Sequence, residues 1–218
     1  ADLYDGMGED GVFVHAGAEE AILNLCLAAL SPGDRVVAPL PCYQSLAEIP
    51  RSLGCDVRSW PYREVQDGAG GTRWFLDPDE LPALAGDRVR LIVLNQPHNP
   101  TGALMTRAEF DAVVAFARRT GALLLVDEVY RRLELDPADR LPSVCEAYEN
   151  GVALDVLSKH AGLAGLRIGW LATRRVDLLD AVAVIKDYNS ICASGPSEVL
   201  AEVAVRHLDR LVARNRSI

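Results

Sequence analysis

Lysine is almost absent from this chain of 218 residues: of its 22 basic side chains 20 are arginine, and only Lys159 and Lys186 carry an amine. Any chemistry that needs a side-chain amine therefore has two candidates. Basic residues are outnumbered 22 to 31 by acidic ones, and the formal charge of −9 argues against a surface that binds nucleic acid through counterion release. Long apolar runs are missing too. The longest uncharged apolar stretch, 21–33, is interrupted by Asn24, Pro32 and Gly33 and is too short to cross a bilayer, so no membrane span or membrane partner is expected. The first residues, ADLYDGMGED, are acidic and hold no apolar signal core, which makes the cytoplasm the expected location.

No CxxC pair occurs among Cys26, Cys42, Cys55, Cys145 and Cys192, and this odd set is read as free thiols. His15, His98, His160 and His207 show no HExxH or other paired spacing, so no metal site is expected. Aromatic residues make up only 6% of the chain, but 50% is apolar and 24% charged, the balance of a compact globular protein. The length suits one large domain. No internal repeat, low-complexity tract or linker divides it.

Short β-branched runs alternate with longer helical patterns, the signature of a parallel α/β sheet. Strands are expected at 11–16, 34–40, 56–62, 89–95, 122–126, 152–157 and 166–172. Helices are expected at 18–30, 43–53, 78–84, 106–120, 175–189 and 196–214, with a glycine-rich loop, DGAGG, at 67–71. Thr106 and Glu109 spell a capping box and Gly121 a stop signal for the fourth of these helices. The continuously apolar VRLIVLN at 89–95 is the pattern of a strand buried on both faces.

Open parallel sheets bind ligands beyond the carboxyl ends of their strands, so the segments that follow the strands carry the functional information. They are HAGAEE (15–20), NQPHNPTG (95–102), DEVY (127–130) and SKHAGLAGLR (158–167). Gly17, Ala18 and Glu19 enter a helix, where free N–H groups favour a phosphate. Gly6, Gly8 and Gly11 spell GxGxxG, but they precede a strand and flank Glu9 and Asp10, which is wrong for a dinucleotide pyrophosphate. Asp127 ends an apolar run, where a carboxylate must be solvated, paired or protonated. Lys159 holds a similar position before a glycine-rich turn. Arg167, placed inside the start of a strand, needs an anionic partner if buried. Lys186, in the helix AVAVIKDY, reads as a surface lysine whose stem snorkels. Together, a phosphate nest, an arginine, an isolated carboxylate, an amine and the aromatic ring of Tyr43 on one sheet edge fit a phosphorylated, cationic, planar ligand.

These residues resemble the fold type I pyridoxal phosphate enzymes of the class I/II aminotransferase family. NQPHNPTG, DEVY and SKHAGLAGLRIGW occur in that family's order and spacing. The resemblance implies a three-layer α/β/α fold with a mostly parallel seven-stranded sheet, the whole chain 1–218 being the large domain that binds pyridoxal 5'-phosphate. It further implies Lys159 as the Schiff-base lysine and Asp127 as partner of the pyridine nitrogen. Asn99 and Tyr130 would hydrogen-bond the phenolic oxygen, and Tyr43 would stack on the ring. The backbone of Gly17, Ala18 and Glu19, the Ser158 hydroxyl and Arg167 would hold the phosphate. Many relatives carry a second hydroxyl three residues before the lysine, where this chain has Val156. The implied activity is transfer of an amino group between an amino acid and a 2-oxo acid in a homodimer, with the segment 190–197 facing the neighbour's phosphate. An N-terminal arm and a C-terminal small domain with the arginine for the substrate carboxylate are expected to lie outside this stretch. The same residues suit a lyase or an amino-acid cyclase, and leave open a non-catalytic sensor domain or an inert fragment.

Overall fold

The structure, a computed structural model, describes residues 3–66 and 70–218; residues 67–69 of the expected DGAGG loop lie outside them. The chain runs β1 (Val12–His15), α1 (Ala18–Ala29), β2 (Arg35–Leu40), α2 (Ser45–Ser52), β3 (Asp56–Pro61), β4 (Arg63–Gln66), β5 (Thr72–Phe75), α3 (Leu81–Ala85) and β6 (Val89–Asn95). It continues through α4 (Arg107–Thr120), β7 (Leu123–Asp127), α5 (Val144–Ala147), β8 (Gly151–Val156), β9 (Gly169–Thr173), α6 (Val176–Lys186), α7 (Gly195–Arg206) and α8 (Leu208–Arg216).

Seven strands form one sheet in the order β1-β9-β8-β7-β6-β2-β3. All run parallel except β9, which is antiparallel to both β1 and β8. The exception preserves the shared rim. Because β9 runs backwards, its first residue, Gly169, lies opposite His15 and Val156, the last residues of β1 and β8. The loop 158–167 therefore stays at the edge where the parallel strands end.

Strand side chains alternate between two cores, as a period of two requires. Val36, Leu91, Val93, Leu123, Leu125, Val152 and Leu154 pack under α1, α2 and α6. Val37, Ile92, Leu94, Leu124, Val126 and Ala153 pack on the opposite face with α3, α4, α5, α7 and α8. The result is a three-layer α/β/α arrangement. The Thr106–Glu109 capping box is formed, and Gly121 closes α4 in the left-handed conformation. Cys26, Cys55 and Cys145 are buried free thiols, and Cys42 and Cys192 are free as well.

Four expectations are corrected. The hairpin β4–β5 is not among the expected strands: REVQ holds one apolar residue and neither strand has a buried residue. The helix expected over 196–214 breaks at His207, whose backbone (φ −116°, ψ 21°) leaves the helical region; the bend lets Leu208 and Val212 of α8 join the same core as Ala201 and Ala204 of α7. Arg167 is not inside a strand: it is exposed, left-handed (φ 53°), and precedes β9. Lys186 does not snorkel to the surface. It ends α6 with only 3% of its area exposed and pairs with Glu20 of α1 at 2.8 Å. Among the described residues no helix is long and apolar enough to cross a membrane.

Candidate active site

At the rim, the ends of β1, β6, β7 and β8 surround a cleft of about 200 Å³. Its first wall is the entry to α1. Gly17, the N-cap, has φ 95°, a conformation that L-residues rarely adopt, and a Cβ there would run into Nη2 of Arg167. Among the described residues no side chain caps α1. Its first-turn N–H groups and the positive end of its dipole are therefore free for an anion. Ala18, Glu19 and Arg167 all line the cleft, so an unsatisfied helix end faces a guanidinium across a glycine.

Asp127 forms the floor. The alternation of β7 puts it on the face of Leu123 and Leu125, under α1. It is 4% exposed, and among the described residues its carboxylate accepts one hydrogen bond, from Val129 N–H at 3.3 Å. Burial above all, opposed by the Val129 N–H and the charge on Lys159 and aided by the neighbouring Asp155 and Glu19 carboxylates, pushes its pKa up to about 7. A buried carboxylate so weakly supported fits a cation directly above it.

The loop after β6 is held to this floor by Asn95, which is fully buried. Its Nδ2 donates to Asp127 O at 3.0 Å and its Oδ1 accepts from Asn99 N–H at 2.7 Å, so the amide places Asn99 relative to Asp127. His98 joins this loop to the one carrying Tyr43: its Nε2–H donates to Pro41 O at 3.0 Å, and Nδ1 accepts from Thr101 Oγ1 at 2.7 Å. The ring also stacks on Tyr62, with centroids 4.0 Å apart. Burial lowers the His98 pKa to about 4, which keeps the imidazole neutral in this role. Asn95 and His98 were not picked out from the sequence, although both are polar residues directly behind an apolar strand.

Lys159 and Ser158 line the cleft from the end of β8. Lys159 is exposed, and its Nζ stands 5.8 Å from the centre of the Tyr130 ring. Directly after it, His160 is fully buried on the other side of the sheet and donates through Nε2–H to Asp155 at 2.9 Å. Tyr43 lies at the mouth; its hydroxyl donates to the Glu19 carboxylate, which also accepts from Ser45 Oγ at 2.9 Å. That bond to Glu19, and then partial burial, hold the Tyr43 phenol above its usual pKa. Asn99 and Tyr130 complete the lining together with Ile22, Val129, Val156 and Ala164. The structure thus gathers Ala18, Glu19, Tyr43, Asn99, Asp127, Tyr130, Ser158, Lys159 and Arg167 around one cleft, with Gly17 behind the guanidinium. Gly11 of the GxGxxG run packs near Thr173 O, at the far end of β9, away from the cleft.

Comparison with known proteins agrees with this geometry. The sequence profile described as "Aminotransferase class I and II" matches residues 5–214. The chain is 34% identical to capreomycidine synthase of Streptomyces vinaceus over 197 residues, 90% of this chain and 48% of that protein. Its fold superposes on a PLP-dependent aminotransferase from Streptococcus suis with a TM-score of 0.88 and 36% identity, covering 100% of this chain and 55% of that one. Against the PLP-dependent cyclase OrfR the TM-score is 0.87 and the identity 35%, with 100% of this chain and 55% of the other covered. The chain spans about half the length of the relatives it matches. It belongs to the class I and II aminotransferase family.

Proposed function

We propose that residues 1–218 are the cofactor-binding large domain of a pyridoxal 5'-phosphate-dependent aminotransferase acting on an amino acid and a 2-oxo acid. The observation that carries the reading is the meeting of Lys159 and the buried Asp127 in one cleft whose far wall is the uncapped start of α1 facing Arg167. The residues present fit the group: among the described residues the buried Asp127 carboxylate accepts only the Val129 N–H, and the glycine at 17 leaves room for the guanidinium beside the uncapped start of α1. When bound, pyridoxal 5'-phosphate supplies an electron sink for the bond broken at the substrate α-carbon.

The chain's own residues do the rest. Asp127 would pair with the ring nitrogen; at about 4 Å and an effective dielectric of about 20 that pairing would be worth on the order of 4 kcal/mol and would keep the nitrogen protonated. Asn99, set by Asn95, and Tyr130 would donate to the phenolic oxygen, and Tyr43 would cover the ring. The N–H groups of Ala18 and Glu19, the Ser158 hydroxyl and Arg167 would hold the phosphate. Lys159, whose amine reaches the cleft, would hold the cofactor's aldehyde carbon, and its free amine would carry the α-proton. Val156 contributes an apolar surface to the same cleft.

Near-equal similarity to a PLP-dependent aminotransferase and a PLP-dependent cyclase supports a second reading, ring closure of an amino acid on the same cofactor-holding residues. Incubation of the loaded protein with amino acids and 2-oxo acids separates them. Amino transfer to the oxo acid supports the first reading; a cyclised amino acid with no oxo acid consumed supports the second. The homodimer and the cytoplasmic location belong to the same proposal, and sedimentation at the dimer mass is expected.

A further inference from the structure

Lys186, the second of the two lysines, lies outside the cleft and in no motif, yet it is 3% exposed. Burying an amine is costly unless it is paired, and its partners are specific. Lys186 Nζ donates to Glu20 Oε1 at 2.8 Å and to Ser190 Oγ at 2.7 Å, and Ser190 Oγ donates to the same Glu20 oxygen. The second oxygen, Glu20 Oε2, accepts the N–H of Ala16, the residue before the Gly17 turn. One carboxylate thus ties the last residue of α6 to the backbone that enters α1.

We propose that Lys186, acting through Glu20, is a positioning residue for the phosphate of the cofactor. The inference rests on the reading of function given above. Two physical effects support it. Glu20 sits in the first turn of α1 beside Glu19, so a phosphate dianion at the free N–H groups meets two carboxylates. Lys186 neutralises the inner one. His15, fully buried alongside, cannot do so: burial lowers its pKa to about 4, and its Nε2 has no partner among the described residues. Secondly, with Glu20 anchored, the Ala16 N–H is fixed and the N–H groups that follow Gly17 keep their direction. Both effects act on the phosphate and neither acts on the ring, so a ligand without the phosphate should be indifferent to Lys186.

The test compares pyridoxal 5'-phosphate with pyridoxal, which lacks the phosphate. Both are titrated by their visible absorption on the full chain, wild type against Lys186→Met and Lys186→Arg, with inorganic phosphate as competitor. Lys186→Met is expected to weaken pyridoxal 5'-phosphate and inorganic phosphate about ten- to a hundred-fold while moving pyridoxal less than about two-fold. Lys186→Arg keeps the charge and should stay within about three-fold of wild type for both. If Lys186→Met does not fold, Lys186→Gln, which retains a donor to Glu20, replaces it with the same expected selectivity. Equal weakening of both ligands marks a purely structural pair and overturns the inference, as does an unchanged ratio. A wild-type chain that binds neither ligand overturns the functional reading and this inference together; a wild type that binds, with an unchanged ratio in the variant, overturns this inference alone.

Discussion

Substitution of Asp127 by Asn should make the cofactor-free protein more stable and the loaded enzyme far slower. Without the cofactor the Asp127 pKa stands at about 7 against an ordinary 3.8, chiefly through burial. The folded state therefore binds a proton more tightly than the unfolded state, and stability falls as pH rises from about 3.8 to about 7. A shift of about three units corresponds to about 4 kcal/mol of cost, fully present above pH ~8 and reduced to about 1 kcal/mol near pH 4.5. The asparagine amide carries no charge and can still accept from Val129 N–H, so the variant escapes this cost. Glu128, whose pKa burial likewise raises to about 7, titrates in the same window but is common to both proteins and cancels in the difference. Denaturant unfolding of the cofactor-free proteins should show Asp127→Asn more stable by about 2–4 kcal/mol near pH 8, with the gain shrinking toward pH 4.5. In the loaded protein the loss of about 4 kcal/mol of support for the ring nitrogen should slow α-proton removal about a thousand-fold. An Asn variant of equal or lower stability at both pH values, or one with near-native turnover, would refute this reasoning.

Gly17→Ala places a methyl group against Arg167 at a positive φ, and should cost about 1–3 kcal/mol of stability; it should also weaken pyridoxal 5'-phosphate more than pyridoxal, read by the same titration. Asn95→Ala leaves the Asn99 N–H without its partner while the Asp127 carbonyl keeps the Gln96 N–H, which predicts a loss of about 1–3 kcal/mol in denaturant unfolding. Arg167→Met removes the guanidinium facing the start of α1 and should reduce inorganic phosphate affinity at least about ten-fold, with a smaller salt dependence of binding.

The sheet was legible because its strands are apolar runs bounded by turn residues, and its order places HAGAEE, NQPHNPTG, DEVY and SKHAGLAGLR at one edge. The reversed β9 left no local signal: GWLAT reads as a buried strand in either direction, and only pairing with β1 and β8 sets its sense. For Lys186 the sequence pointed the wrong way. An amine in an apolar helix normally reaches water, and its partner lies 166 residues away in α1, beyond any local pattern. Asn95 and His98 act through backbone atoms of Asp127, Asn99 and Pro41, contacts that exist only after the loops have met. Single residues around the cleft were weak signals; their shared rim gave them meaning, because α/β topology brings the strand ends together.

The most direct measurement is borohydride reduction of the protein incubated with pyridoxal 5'-phosphate, followed by peptide mapping by mass. With only two lysines in the chain, a reduced adduct is expected on the peptide containing Lys159, and none in Lys159→Ala. An adduct confined to Lys186, or no adduct on either lysine, would contradict it.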